Sequence, residues 1–456
     1  MKYIGNSVKD LKIAYIGGGS RGWAWTLMTD LEKAEDISGK VALYDIDFEA
    51  AKENEFIGNN VNVEHWSYEA TKTIGEALTG ADFVIISILP GTLEEMGSDI
   101  HSPEKYGIYQ SVGDTTGAGG FIRALRTVPM FRDIARSIKE YCPNAWVINY
   151  TNPMAICIEA LYREFPEIKA FGCCHEVFGT QKLLSAALAD ICSIKDVPKE
   201  EICVTVAGIN HFTWFTTAKY RDIDLFDVYK KFVDKYYENG YDADSDGNWM
   251  NVNYTGKKVR FDLFKRFGYI AAAGDRHLAE FMPPEEYLKD NETVRSWKFA
   301  LTPVSWRYEF YDKRFVKSKK YLGGEKMPLK ETGEEGVNLI KALLGLAPIV
   351  SNVNIPNRGQ VSNLPLGTVV ETNATFRANE LCPMFLGDIP ESIYELVRKN
   401  AEENSEAVDA AFRCEKEYAF EMFSRSHALH SLSDGEKREL FETMWKNTEK
   451  YLGMYN

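Results

Sequence analysis

The chain has 456 residues, which exceeds the usual size of one hydrophobic core and predicts two closely packed domains. Hydrophobic residues make up 45% of the composition and aromatic residues 13%, so extended disorder is not expected. The formal net charge of -14 argues against nucleic acid or an anionic membrane as a partner, because such a surface repels both.

Short apolar runs alternate with helical patterns in the first part of the chain, which is typical of an α/β protein with a mainly parallel sheet. Strands are predicted at residues 12–16, 40–45, 81–88, 145–149, 168–173 and 201–208. Helices are predicted between them at residues 21–33, 48–59, 121–141, 154–165 and 180–188. The pattern predicts a Rossmann-type, doubly wound domain over residues 1–197.

The pattern becomes mixed after about residue 198, and a second, α+β domain is predicted over residues 198–456. Its predicted elements are strands at 212–220 and 368–372 and helices at 225–237, 334–344, 391–414 and 434–451. The last two helices are suited to contacts between copies of the chain, and we expect a homo-oligomer. Residues 242–247 resemble the start of a calcium-binding loop, but Asn253 replaces the required glutamate, so we interpret them as a surface loop.

Eight cysteines are scattered along the chain without the spacing of a structural zinc site or a disulfide framework. The residues after Met1 lack the pattern of a secretory signal, and no apolar run approaches the roughly 20 residues of a membrane span. We therefore expect a protein of the reducing cytoplasm, where a cysteine thiolate stays available as a metal ligand.

A glycine-rich turn, Gly17-Gly18-Gly19-Ser20-Arg21-Gly22, lies between the first predicted strand and the first predicted helix. Its GxGxxG pattern permits close approach of a dinucleotide pyrophosphate, which the N–H groups of the helix N-terminus would bind. Asp45 ends the second predicted strand, where an acid binds the adenosine ribose, and Asp47 is the alternative. An acid here favours NAD over NADP, because it repels a 2′-phosphate. The other interpretation of the glycines is an ordinary strand-to-helix turn.

Two residues with metal-binding side chains follow predicted strands. Cys174 and His211 would both reach the edge where open α/β sheets bind ligands. One thiolate and one imidazole are too few for structural zinc and leave positions open for substrate oxygens, as a catalytic metal requires. Each residue alone is more typical of packing. Cys173 is the alternative ligand, since strand alternation points the two cysteines to opposite faces.

These motifs occur in the order and spacing of glycoside hydrolase family 4, which the chain resembles over nearly its whole length. The matching segments are residues 17–22, 149–153, 172–179, 208–214, 274–277, 352–357 and 359–365. Within the family, the run at 172–184 most closely resembles the members that act on α-galacturonides. The resemblance implies hydrolysis of α-linked galacturonides with NAD and Mn²⁺, or another divalent metal, and without net oxidation.

In that family, the C3 hydroxyl of the sugar gives a hydride to NAD⁺, the C2 proton is removed and the leaving group is eliminated. Water then adds, and the C3 hydroxyl is restored. The resemblance implies that Cys174 and His211 are the metal ligands of this chain.

Four further residues receive roles from the same resemblance. Asp275 matches the base that removes the C2 proton, although other members use a tyrosine. His175 follows the metal-binding cysteine and matches the proton donor to the leaving oxygen, with simple packing as the alternative. Asn152 and Asp114 match residues that contact substrate hydroxyls, and turn chemistry is the alternative for both.

A galacturonide carries a carboxylate at C6, which the planar fork of a guanidinium binds well. Arg123, Arg276 and Arg358 lie in motif-bearing segments and are candidates, although ion pairing is the commoner role of arginine. Neutral α-galactosides and α-glucosides are the alternative substrates. A 2-hydroxy-acid dehydrogenase or an NAD-sensing protein is a further alternative, but neither gives Cys174 and His211 a shared purpose.

Overall fold

The computed structural model describes residues 1–60, 65–241, 255–329 and 332–455. Two β-sheets and the helices packed on them make up this part of the chain. Within these ranges, no helix combines the length and the apolar character needed to cross a lipid bilayer. The calcium-loop-like segment at 242–247 lies outside the described residues, as does Asn253, and its interpretation stays a prediction.

The larger sheet has the strand order β14-β13-β12-β7-β6-β5-β2-β3-β4, with β1 paired to β2. In the smaller, antiparallel sheet, β9 pairs with β8, β10 and β11. The strands are β1 (Lys2–Ile4), β2 (Ser7–Ile16), β3 (Ile37–Tyr44), β4 (Trp66–Thr71), β5 (Phe83–Ile86), β6 (Trp146–Asn149), β7 (Lys169–Gly172), β8 (Cys203–Ile209), β9 (Phe212–Tyr220), β10 (Ile223–Asp224), β11 (Ile270–Ala271), β12 (Ile349–Pro356), β13 (Val369–Arg377) and β14 (Glu380–Pro383).

Helices cover the larger sheet and connect it to the smaller one. They are α1 (Trp23–Lys33), α2 (Phe48–Asn60), α3 (Ile74–Leu78), α4 (Leu93–His101), α5 (Gly117–Tyr141), α6 (Met154–Glu164), α7 (Glu176–Cys192), α8 (Leu225–Tyr236), α9 (Lys258–Phe267), α10 (Asp275–Glu280), α11 (Pro284–Tyr287), α12 (Asn291–Ser296), α13 (Val304–Leu322), α14 (Gly336–Leu343), α15 (Glu391–Arg413), α16 (Lys416–Ser424) and α17 (Asp434–Thr448).

The strands β4-β3-β2-β5-β6-β7 are parallel and have the order of a Rossmann-type, doubly wound sheet, which confirms the predicted fold class. The predicted strands and helices of this half form, with shifts at their ends. Residues 201–208 are the exception in topology, because they form β8 of the smaller, antiparallel sheet and not a strand of the parallel sheet. Sequence analysis missed strand β4 and helix α4. Strand β4 lies at the sheet edge, and only Trp66, Tyr68 and Thr71 are buried in it, so its apolar signal is short.

In the second half, the predicted strands form as β9 and β13, and the predicted helices as α8, α14, α15 and α17. Sequence analysis missed β12 and α13. Helix α13 buries only Ser318 and Tyr321, so it lacks the apolar stripe that identifies a helix in a sequence. The larger sheet contains strands from both predicted domains, and the division at 197/198 stays a prediction.

Buried apolar side chains cover both faces of the larger sheet. Residues of α5, α6 and α15 pack on one face, and residues of α1 and α14 on the other. Because both faces are covered, the carboxyl ends of the parallel strands are the place where polar side chains can meet. The strand order reverses between β2 and β5, so the residues after these two strands border that crevice.

The first glycine of the turn after β2 should be essential for stability. Gly17 has a φ of 95°, and a Cβ on it would meet the carbonyl oxygen of Ser87 at 2.0 Å. Gly17→Ala is therefore expected to lower the free energy of unfolding by about 2 to 4 kcal/mol in urea denaturation. Gly435→Ala in α17 is the matched control, because nothing lies within 4 Å of that Cβ position and alanine favours a helix. Equal stability of the two variants would contradict this reading.

Candidate active site

The glycine turn is fixed by the strand and helix that follow it. The N–H groups of Gly17 and Gly18 both donate to the carbonyl oxygen of Tyr44, at 2.9 Å. The buried amide of Asn54 donates to the carbonyl oxygens of Gly18 and Ser20, at 2.7 and 3.1 Å. These bonds hold the turn in one conformation at the strand-order reversal.

The N-terminus of α1 opens onto this turn. Gly22 is its N-cap residue, and no side chain among the described residues caps the first N–H groups of the helix. The guanidinium of Arg314, from α13, donates to the carbonyl oxygen of Arg21 at 3.2 Å, and its Nη1 lies 2.5 Å from where a Cβ of Gly22 would stand. Free helix N–H groups beside a guanidinium fit a pyrophosphate.

The two candidate acids after β3 have different contacts. Asp45 Oδ2 accepts from the N–H of Gly19 at 2.9 Å, and burial raises its pKa. Asp47 Oδ1 accepts from the N–H of Ala50 at 3.1 Å in the first turn of α2. Asp45 therefore lies against the glycine turn, whereas Asp47 serves as a helix cap.

Cys174 and His211 belong to one buried polar cluster. Cys174 is 6% exposed after β7, and His211 is 4% exposed in the turn between β8 and β9. The amide of Asn352 donates to the carbonyl oxygen of Cys174 at 3.2 Å and to Glu371 Oε1 at 2.6 Å. The amide of Asn210 donates to the other oxygen of Glu371 at 3.5 Å. Glu371, which sequence analysis missed, thus connects the segments of the two predicted ligands.

The hydrogen bonds of His211 leave one ring nitrogen available. Thr115 Oγ1 donates to Asp114 Oδ1 at 2.8 Å and lies 3.1 Å from His211 Nδ1. Because its hydrogen is directed to Asp114, the hydroxyl accepts from Nδ1–H, which leaves a lone pair on Nε2. Burial, with the ring of His277 at 3.8 Å, lowers the pKa of His211 to about 3. The imidazole is therefore neutral, as a metal ligand has to be.

The two adjacent cysteines have different environments. Cys173 packs in the apolar cluster beneath the sheet with Ile148 and Phe171. Burial, reinforced by Glu371, raises the pKa of Cys174 well above its ordinary value. A cation at the sulfur would counteract this effect, because coordinated thiols are deprotonated. The polar surroundings favour Cys174 over Cys173 as a ligand.

His175 and Glu176 lie at the start of α7. His175 Nδ1 is 3.3 Å from Glu334 Oε1, which raises the pKa of the imidazole, and its side chain is 54% exposed. Glu176 Oε2 accepts from the N–H of Gly274 at 2.7 Å, and its Oε1 is 3.9 Å from His277 Nε2. Sequence analysis missed both glutamates and His277, because no spacing rule connects these distant segments.

Asp275 begins α10 and is 1% exposed. Its Oδ1 accepts from Arg260 Nε at 3.4 Å, and its Oδ2 accepts from Thr255 Oγ1 at 3.2 Å and from the N–H of Val259 at 3.4 Å. An ion pair with a buried arginine therefore holds this carboxylate against α9. Its role as the base stays a prediction.

Several buried polar atoms around the cluster have no hydrogen-bond partner within the described ranges. They are Asn152 Oδ1, Asn210 Oδ1, Asn352 Oδ1, Asn354 Oδ1, His277 Nδ1, Glu280 Oε2, Arg123 Nη1 and Arg307 Nε. Buried polar atoms in proteins are normally paired. Their concentration near Cys174 and His211 indicates that this region binds a polar ligand.

The three arginines that are candidates for binding a C6 carboxylate lie in different parts of the structure. Arg358 lines a groove between α6 and α15 that contains none of the residues above. Arg276 Nη1 donates to Thr302 Oγ1 at 2.8 Å. Arg123 Nε donates to the carbonyl oxygen of Asn152 at 3.1 Å, so Arg123 touches a predicted substrate-binding residue.

The sequence model of the family described as "Family 4 glycosyl hydrolase" matches residues 12–190, and that of its C-terminal domain matches residues 206–428. The chain belongs to glycosyl hydrolase family 4. This confirms the resemblance drawn from the motifs.

Individual members of the family resemble this chain to different degrees. The chain is 58% identical to the alpha-galacturonidase of Thermoanaerobacterium saccharolyticum, over 99% of this chain and 98% of that protein. Its structure resembles that of the Bacillus subtilis protein lplD, with 48% identity, a TM-score of 0.92 and coverage of 96% and 100%. The 6-phospho-beta glucosidase of Thermotoga maritima, solved with manganese, NAD+ and glucose-6-phosphate, has the same fold, with 20% identity, a TM-score of 0.77 and coverage of 97% and 99%.

In this family 4 glycosidase, Glu280 holds the loop that carries Asp114. Glu280 Oε1 accepts from the N–H groups of Val112 and Gly113, at 2.7 and 2.8 Å. Burial nevertheless raises the pKa of Glu280 to about 7. Near neutral pH the carboxyl is therefore only partly ionised.

The raised pKa of Glu280 predicts a pH-dependent loss of stability. The folded state binds this proton more tightly than the unfolded state, so stability falls as pH rises from about 5 to about 8. Glu280→Gln keeps an oxygen for both N–H groups but does not titrate. The free energy of unfolding of the variant, relative to that of the wild type, is therefore expected to rise by about 2 kcal/mol between these pH values. Urea denaturation with a chelator present measures it. Glu69→Gln, at an exposed site, is the control, and parallel pH profiles of Glu280→Gln and wild type would contradict the assignment.

Proposed function

We propose that this chain hydrolyses α-linked galacturonides, using NAD catalytically and a divalent metal, Mn²⁺ first among the candidates. The observation that carries the proposal is the 58% identity to an alpha-galacturonidase along both whole chains. The cluster around Cys174, His211 and Glu371 supports it, because a buried polar region with unpaired atoms suits a sugar.

We propose NAD at the glycine turn. The open N-terminus of α1 and the guanidinium of Arg314 fit the pyrophosphate, and Asp45 fits the adenosine ribose. The NAD+ solved with the Thermotoga maritima relative supports the same choice. Residues Gly17, Gly19 and Gly22 would allow the backbone to approach the cofactor.

We propose that Cys174 and His211 hold the divalent metal. The free Nε2 of His211 and the thiol of Cys174 can bind a divalent transition metal, and oxygen ligands from the substrate would suit Mn²⁺ at the remaining positions. Within the described ranges, no group of three or more His, Cys, Asp or Glu side chains is arranged to hold a metal. Substrate oxygens at C2 and C3 would therefore complete the coordination.

When bound, NAD accepts and later returns a hydride at sugar C3, and the metal acts as a Lewis acid there. We propose that Asp275 takes the proton from C2 and that His175 gives one to the departing oxygen at C1. Water then adds at C1, and C2 regains a proton, so no net oxidation occurs. The exposed edge of His175, paired with Glu334, suits contact with a leaving group.

We propose that Asn152 and Asp114 contact substrate hydroxyls. Asn152 Oδ1 is buried without a partner in the described part of the chain, so it is available to accept from a hydroxyl. Asp114 is connected to His211 through Thr115, which keeps it beside the proposed metal. All eight cysteines are free, which agrees with the proposed cytoplasmic setting. The homo-oligomer stays a prediction.

Anaerobically purified protein with NAD⁺ and Mn²⁺ is expected to release galacturonic acid from 4-nitrophenyl α-galacturonide without accumulating NADH. In D₂O, the product should carry deuterium at C2, because that proton is removed and replaced from solvent. A dehydrogenase would instead form NADH in proportion to product. The proposal fails if no galacturonide is cleaved or if C2 retains its original hydrogen. Faster cleavage of the neutral galactoside would move the assignment to that substrate.

His175→Asn should affect substrates according to their leaving groups. A general acid contributes about 10²- to 10⁴-fold when the departing oxygen needs a proton, and little when it does not. The variant is therefore expected to lose far more activity on a digalacturonide than on 4-nitrophenyl α-galacturonide. His430→Asn is the matched control, because His430 is also 54% exposed and also paired with a glutamate. Equal losses on both substrates would assign His175 to packing.

A further inference from the structure

Two arginine side chains lie near the loop that carries Asp114, and within the described ranges each has a buried N–H group without an acceptor. Arg123, from α5, is 3% exposed; its Nε donates to the carbonyl oxygen of Asn152, and its Nη1 has no partner within the described ranges. Arg307, from α13, donates through Nη2 to the carbonyl oxygen of Val112 at 2.9 Å, and its Nε is likewise unpaired. Leaving such donors buried without an acceptor is costly, so an anionic acceptor is the expected occupant.

Charged groups of both signs surround this loop. Burial acts to raise the pKa of Asp114, but Arg307 and Arg123 outweigh it and hold that pKa below its usual range. Asp114 is thus a carboxylate that offsets one of the two guanidinium charges. Arg276 adds a third cation nearby, although Thr302 already accepts from it. Asp99, Glu176 and Glu280 also lie close to these guanidinium groups, so the unpaired N–H groups, rather than a net positive charge, favour an anion here.

The loop that carries Asp114 borders the proposed substrate site. Asp114 is two hydrogen bonds away from His211, through Thr115. Arg123 also contacts Asn152, which is likewise proposed to contact a substrate hydroxyl. Arg123 and Arg307 therefore adjoin the residues proposed to bind the sugar.

We propose that Arg123 and Arg307 form the subsite for the C6 carboxylate of the substrate, an inference that rests on the proposed function. The hydrogen bond to the carbonyl oxygen of Asn152 orients Arg123. Arg307 lies on α13 and determines the specificity for a carboxylate at C6. The planar guanidinium groups donate hydrogen bonds that the oxygens of a carboxylate accept. An uncharged C6 hydroxymethyl group cannot accept from all of these N–H groups. Arg358 has no part in this subsite, because it lies in the separate groove between α6 and α15.

Arg307→Gln tests the subsite in the holoenzyme with NAD⁺ and Mn²⁺. The kcat/KM for 4-nitrophenyl α-galacturonide is expected to fall about 10- to 100-fold, mainly through KM, since charged hydrogen bonds are lost from the ground state and transition state alike. The preference for galacturonide over 4-nitrophenyl α-galactoside should fall with it. Calorimetric binding of free galacturonate should weaken by a similar factor, whereas Arg307→Lys should retain part of the affinity.

Arg358→Gln is the matched control and should behave as the wild type in every assay. The inference is overturned if Arg307→Gln binds galacturonate as tightly as the wild type, or if it loses galacturonide and galactoside activity by the same factor. If the wild type binds galacturonate through Arg307 but cleaves no galacturonide, the proposed function is refuted and the anion subsite is retained. If Arg307→Gln does not fold, the comparison of Arg307→Lys with wild type decides by the same criteria.

Discussion

One residue pair connects the parallel strands with the antiparallel part of the larger sheet, namely Gly172 of β7 and Asn354 of β12. A Cβ on Gly172 would meet the side chain of Met154 at 2.7 Å and Asn354 Cβ at 3.0 Å, so only glycine permits this approach. The register places Glu371 of β13 opposite Asn354 and leaves Asn352 beside Cys174. A shift by one residue would turn both asparagines to the other face, so the polar cluster depends on this register.

Burying this polar cluster lowers the stability of the folded protein relative to apolar packing. Burial raises the pKa of Glu371 to about 7, although the amides of Asn352, Asn210 and Asn354 favour its charged form. In the part of the chain that the structure describes, the same three asparagines each have an unpaired amide oxygen. Apolar side chains of similar volume would be as stable or more stable here. The polarity is best explained by a ligand whose hydroxyl groups complete these hydrogen bonds.

Sequence motifs predicted the positions of candidate residues where the motif lies within one short segment. The glycine turn, Cys174 and His211 each follow a strand whose apolar run is evident, and their positions at the sheet edge follow from that. Glu371, Glu280 and Arg307 were missed, because their roles arise from contacts with segments more than one hundred residues away. Helix α13, which carries Arg307, also lacks the buried stripe that marks a helix in a sequence. Contacts of this kind come from the register and docking of elements, which a single sequence does not encode locally.

The electrostatics of the whole chain and of the site act in opposite directions. A net charge of -14 repels a polyanionic oligogalacturonide at long range, but this repulsion is screened beyond about 8 Å at physiological ionic strength. The buried N–H groups of Arg123 and Arg307 are screened much less and act only on a group in contact with them. A neutral sugar would leave those donors unpaired, at a cost of about 1 to 3 kcal/mol for each buried group. If the proposed subsite binds a uronide, its selection is a local effect, produced by unsatisfied donors rather than by the surface potential.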